Sequence, residues 1–156
     1  GGAGATVATP TNVTPFRAMP PASASVLPVP LYGRIAAGTP IEAIRDEGAQ
    51  IDIPSGLLGS GVHYALTVQG DSMTGAGIQD GDIVIIRRGE DATNGAIVVA
   101  LVDDQEATLK RLRREQGKVI LEAENPAYPA RILDPARVKV QGRLVSLLRS
   151  YNGPIR

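Results

Sequence analysis

Two positions in this 156-residue sequence carry side chains that could do covalent chemistry together. Gly70-Asp71-Ser72-Met73 follows Tyr64-Ala65-Leu66-Thr67-Val68, a run that alternates with the period of a strand. A serine at such a strand-to-helix corner presents Oγ to solvent beside backbone N–H groups that are free to hold an oxyanion. The same serine could also be nothing more than a helix N-cap. The second position is Lys110, inside Thr108-Leu109-Lys110-Arg111-Leu112. On a period of two it shares a face with Thr108 and Leu112, while Leu109 shares the other with Arg111 and Arg113, so the alternation leaves its burial open. If it is buried, desolvation lowers its pKa and supplies a neutral amine as general base. Serine with neutral lysine is an alternative to the histidine-dependent triad.

Other chemistries are excluded or weak. Cysteine is absent, which removes disulfides, thiolate nucleophiles and Cys-bound zinc or iron–sulfur sites. With His63 as the single histidine, a His-rich metal cluster is excluded too, and no cofactor or metal is expected. His63 starts a strand and reads as a surface or partly buried side chain rather than a triad member. The chain has no G-x-x-x-x-G-K-[ST] loop, and Gly75-x-Gly77 with Gly81 is wrongly spaced for a dinucleotide fingerprint. Lys110-Arg111 with Arg113-Arg114 reads as a solvated strand face before it reads as a phosphate grip. Sixteen Lys and Arg balance sixteen Asp and Glu, which argues against polyanion binding over most of the surface. No apolar run approaches the ~20 residues of a membrane span, and nothing resembles a secretory leader, so the expected location is cytoplasmic.

The elements that must position these residues are short. The length suits one domain with a tail. Hydrophobic residues make up 43% but aromatics only 3%, so aliphatic side chains must fill the core. Residues 1–30 hold six of the twelve prolines and, in Arg17, a single charge. They show neither strand nor helix period, so residues 1–27 read as a flexible linker and residues 28–156 as the domain. The chain begins Gly1-Gly2 and its first methionine is Met19, which leads to the expectation of a fragment with something attached upstream. Strands are expected at Tyr64–Val68, Ile83–Ile86, Ala96–Val102, Thr108–Leu112, Val119–Leu121, Arg137–Gln141 and Leu144–Leu148. Turn signals at Asp80-Gly81, Asn94-Gly95, Asp103-Asp104 and Gln116-Gly117 separate them. One helical turn is expected over Ser72–Ala76. No internal repeat is present, and the fold class is mainly β.

Taken together, Leu31-Tyr32-Gly33-Arg34-Ile35-Ala36-Ala37-Gly38, Gly70-Asp71-Ser72-Met73, Asp80-Gly81-Asp82, Asn94-Gly95 and Thr108-Leu109-Lys110-Arg111-Leu112 resemble the C-terminal domain of the LexA repressors. The resemblance runs from about Pro28 to Tyr151. It implies the compact Ser/Lys self-cleaving β-fold shared with phage repressors and the UmuD polymerase accessory, with a curved, partly barrel-like sheet. It implies Ser72 as nucleophile, Lys110 as general base, the N–H groups of Asp71 and Ser72 as oxyanion donors, and Ala37–Gly38 as the scissile bond. Small residues at Ala37 and Gly38 suit a segment that enters its own active site as an extended strand. The resemblance further implies a homodimer built on Arg143–Tyr151, and stimulation by the RecA–single-stranded DNA filament. Operator DNA would be read by an upstream winged helix-turn-helix that has no counterpart in these residues. No membrane role is implied.

Two other readings compete. A UmuD-like accessory of a translesion polymerase suits the short arm before the cut, but that group usually has Cys before the scissile Gly, and Ala37 stands here. A non-catalytic β-rich dimerisation module would leave Ser72 as a cap.

Overall fold

The computed structural model describes residues 25–153 and residue 155. Ten strands are present among them: β1 (Val26–Ile35), β2 (Thr39–Pro40), β3 (Gln50–Pro54), β4 (His63–Val68), β5 (Ile83–Arg88), β6 (Ile97–Val102), β7 (Glu106–Glu115), β8 (Lys118–Glu122), β9 (Arg131–Leu133) and β10 (Val138–Leu148). They form one sheet in the order β3-β1-β4-β5-β10-β6-β7-β8-β9, with β2 laid on β7. The fold is mainly β, as expected, and the sheet is mixed, since β1 and β4 run parallel while the other pairs are antiparallel. The end strands β3 and β9 do not pair, so no barrel is closed. The linker expected at 1–27 lies outside the described residues over 1–24, and Val26 and Leu27 already belong to β1.

β-Branched runs sit where the sheet is covered on both faces. On β5, Val84 and Ile86 face one core cluster with Leu66, Met73 and Leu109, while Ile83 and Ile85 face a second with Ile53 and Ala65. A third cluster gathers Val98, Ala100, Leu112 and Leu121 from β6, β7 and β8. The hairpins follow from turn chemistry. Asp103 and Asp104 take φ of 54° and 56°, and Gln116 and Gly117 take 51° and 73°, successive positive values that match the right-handed strand twist.

Two expectations change. Arg137–Gln141 and Leu144–Leu148 are one strand, β10, carried through Gly142 with register shifts on both sides. The stretch Arg143–Tyr151, to which the resemblance assigns the dimer, begins within this strand. β10 lies inside the sheet, and only from Leu144 onward does it pair with β5 alone. The helical turn is a 3-10 turn at Thr74–Ala76.

Candidate active site

Lys110 sits on β7 opposite Val98 of β6, on the face that also carries Glu106, Thr108 and Leu112. It is buried, at 5% exposure. Its Nζ donates to Thr108 Oγ1 at 2.8 Å and to the Leu109 carbonyl at 3.2 Å. Burial, reinforced by the positive charge of Arg131 and opposed by Glu106, lowers its pKa from the usual 10.5 to about 8. A neutral amine has two hydrogens. Both are accounted for by these acceptors, which leaves the lone pair to take a proton.

Ser72 follows β4 in a turn held from the side of β8. Glu124 N–H donates to the Ser72 carbonyl at 2.9 Å, and Gly75 N–H donates to the Glu124 carbonyl at 2.7 Å. Asn125 Nδ2 donates to the Asp71 carbonyl at 2.9 Å, and Tyr128 OH donates to Asp71 Oδ1 at 2.6 Å. Glu124 also pairs with Arg111, the residue after Lys110, so this segment ties the serine turn to β7. The cap reading of Ser72 fails: Met73 occupies the N-cap position of the 3-10 turn, without a side-chain capping bond. Among the described residues, neither the Asp71 nor the Ser72 N–H donates a hydrogen bond, and none joins Ser72 Oγ to Lys110 Nζ.

The third component is the loop between β1 and β2. Ala36 N–H donates to Thr39 Oγ1 at 2.8 Å, Thr39 lies opposite Ala107 of β7, and the Ala37 carbonyl accepts from Thr108 Oγ1 at 2.7 Å. Ala37 and Lys110 therefore meet through one hydroxyl, which donates to the first and accepts from the second. Gly38 makes its close approach to Glu106 rather than to Ser72. A Cβ there would lie 2.7 Å from Glu106 Oε2. Glu106 is in turn held by Arg131 of β9 at 2.7 Å.

Thr108, Glu106 and Arg131 are the site residues that sequence reasoning missed as participants. Period two did put Thr108 on the face of Lys110, and that was the available signal. The basic run resolves as a paired surface: Arg113 binds Glu122 and Glu115, and Arg114 reaches the Ala92 carbonyl. His63 is buried with Nε2 2.9 Å from the Leu58 carbonyl, a structural position. Among the described residues no His, Asp and Glu cluster is arranged to hold a metal ion.

A family model described as Peptidase S24-like matches residues 30–145, and the chain belongs to this family of serine autopeptidases. Its similarity to individual proteins is narrower. It is 66% identical over 123 residues to the LexA repressor of Paramagnetospirillum magneticum, covering 79% of this chain and 52% of that protein. It is 62% identical over 135 residues to the LexA repressor of Acidiphilium cryptum, covering 86% and 58%. To the LexA repressor of Gluconacetobacter diazotrophicus it is 62% identical over 128 residues, covering 82% and 51%. The chain thus spans about half the length of the curated relatives it matches.

Proposed function

We propose that this chain, from Val26 onward, carries the C-terminal autopeptidase and dimerisation domain of a LexA-type SOS repressor, which cleaves its own Ala37–Gly38 bond. The observation that carries this reading is the bridge from the Ala37 carbonyl through Thr108 Oγ1 to Lys110 Nζ, at 2.7 and 2.8 Å. Ser72 Oγ attacks the Ala37 carbonyl carbon and Lys110 Nζ takes its proton. As the tetrahedral centre forms, the Ala37 oxygen passes from the Thr108 hydroxyl to the N–H groups of Asp71 and Ser72. Protonated Lys110 then protonates the departing Gly38 amine, and water hydrolyses the ester on Ser72.

The bond must survive until it is needed. The RecA–single-stranded DNA filament acts as co-protease by binding the chain better when the Ala37–Gly38 segment is docked at Ser72 than when it is not. Cleavage separates this domain, a homodimer, from a winged helix-turn-helix outside the chain that holds operator DNA, so two half-sites are no longer linked. The relatives are repressors by name, which favours this reading over the polymerase accessory. The protein works in the cytoplasm, and no helix of the described residues is long and apolar enough to cross a membrane.

Intact-mass measurement after alkaline incubation tests the assignment. The parent should break between Ala37 and Gly38, and Ser72→Ala should stay whole at unchanged melting temperature. Cleavage of that variant at the same bond removes Ser72 from the mechanism.

A further inference from the structure

The loop that carries Ser72 is gripped from its far side by the end of the chain. Val68 N–H donates to the Asp82 carbonyl and Gly81 N–H to the Val68 carbonyl, both at 2.8 Å, so residues 68 and 82 close the base of the loop. Met73 and Ile78, each 2% exposed, anchor it in the core. Asp82 is itself buried, at 1% exposure, and a buried carboxylate is costly unless paired. Its oxygens accept from Gln79 N–H and from Arg149 Nε and Nη2, each at 2.7 Å. Arg149 Nη2 also donates to the Gly77 carbonyl at 2.7 Å. One guanidinium, on the first residue after β10, therefore spans the loop's base and its middle.

The near side of the loop has its own ties, from Glu124, Asn125 and Tyr128. The far side, Gly77 to Asp82, has Arg149. Arg149 makes no hydrogen bond to Ala37, Gly38 or Lys110, so any effect it has on the reaction passes through the loop.

We propose that Arg149 is a positioning residue for self-cleavage: its fork on Asp82 and Gly77 fixes the loop that aims Ser72 and the Asp71 and Ser72 N–H groups, and so couples the C-terminal end of β10 to the nucleophile. The proposal rests on Ser72 being that nucleophile. Lysine is a poor substitute, because a single ammonium nitrogen lacks the planar Nε/Nη2 fork that meets both Asp82 oxygens and the Gly77 carbonyl.

The test measures first-order cleavage of the full chain by intact mass from pH 6 to 10, with a thermal melt at each pH. Parent, Ser72→Ala, Arg149→Ala and Arg149→Lys are compared. Arg149→Ala should cleave about a hundredfold more slowly at every pH, the cost of a small misplacement, with the midpoint of the pH profile unmoved. Arg149→Lys should fold like the parent and still cleave about tenfold more slowly. Methylguanidinium at millimolar concentration should restore part of the rate to Arg149→Ala and none to Ser72→Ala. Three results overturn the proposal: a rate for Arg149→Lys within threefold of the parent, a midpoint that moves, or a loss in Arg149→Ala that methylguanidinium leaves unchanged. Continued cleavage by Ser72→Ala would instead overturn the nucleophile assignment, and the positioning role with it.

Discussion

If Lys110 is the general base, its titration should perturb the reaction and the fold through the same proton, and the two effects can be read separately. With a pKa of about 8, the neutral fraction is about 1% at pH 6, 9% at pH 7, 50% at pH 8 and 91% at pH 9. If the neutral amine is the base, cleavage should quicken about tenfold from pH 6 to 7, about fivefold from 7 to 8, and less than twofold from 8 to 9. Lys110→Arg should stop it at every accessible pH, because a guanidinium keeps its proton. The same proton sets a stability term. Between about 8 and 10.5 the unfolded chain binds more protons than the folded one, so stability rises with pH across that window, and below it the burial penalty is present in full. The difference between the two pKa values sets that penalty at no more than about 3 kcal/mol. In a cleavage-dead Ser72→Ala background, Lys110→Met should therefore be more stable by up to about 3 kcal/mol below pH 8, with the gain fading toward pH 10.5. Rates come from intact mass and stabilities from urea unfolding at matched pH. A rate that is flat from pH 7 to 10, or a midpoint that moves on His63→Ala, would refute the role of Lys110. A stability gain independent of pH would refute its buried charge.

Three further outcomes follow from the geometry. Thr108→Val keeps the shape of β7 but removes the hydroxyl between Ala37 and Lys110; at pH 9, where the lysine is neutral, cleavage should fall about ten- to hundredfold. A parental rate would make that bridge incidental. Gly38→Asp sets a carboxylate against Glu106 Oε2 and should block cleavage with little change in melting temperature, since Gly38 is exposed. Combining it with Glu106→Gln should restore some cleavage in a double-mutant cycle, and strict additivity would show that the two sites do not interact. Sedimentation should show a two-fold dimer at concentrations on the order of tens of micromolar, using the edge of β10 that pairs on one side only beyond Arg143; a monomer there would count against the dimer.

What was legible in the sequence followed from local chemistry, and what was not depended on contacts across the sheet. Ile83–Ile86 and Ile97–Val102 announced themselves because each has both faces covered. β1 was hidden because Pro28 and Pro30 make it look like linker. Leu31 N–H bonds the Ala49 carbonyl on the β3 side, so in an antiparallel pair the nitrogens of Pro28 and Pro30 point the other way, where pairing with β4 has not yet begun. Their missing donors cost nothing there. Lys110 was ambiguous for a related reason: β7 changes environment along its length. Its odd face is core at Ala107 and Leu109 but ion-paired surface at Arg111 and Arg113. Its even face is the candidate site at Glu106, Thr108 and Lys110 and core at Leu112. Alternation gives the two faces of such a strand but not which end of each is buried. That depends on Arg131 and Glu124, which reach β7 only after the β8 hairpin has folded back. The same holds for Arg149, 67 residues from the carboxylate it binds. Residue types and local spacing could therefore nominate a nucleophile, a base and a scissile bond. The groups that hold them lie on strands β7 and β9 and just beyond β8 and β10, and no local pattern ties those residues to Ser72.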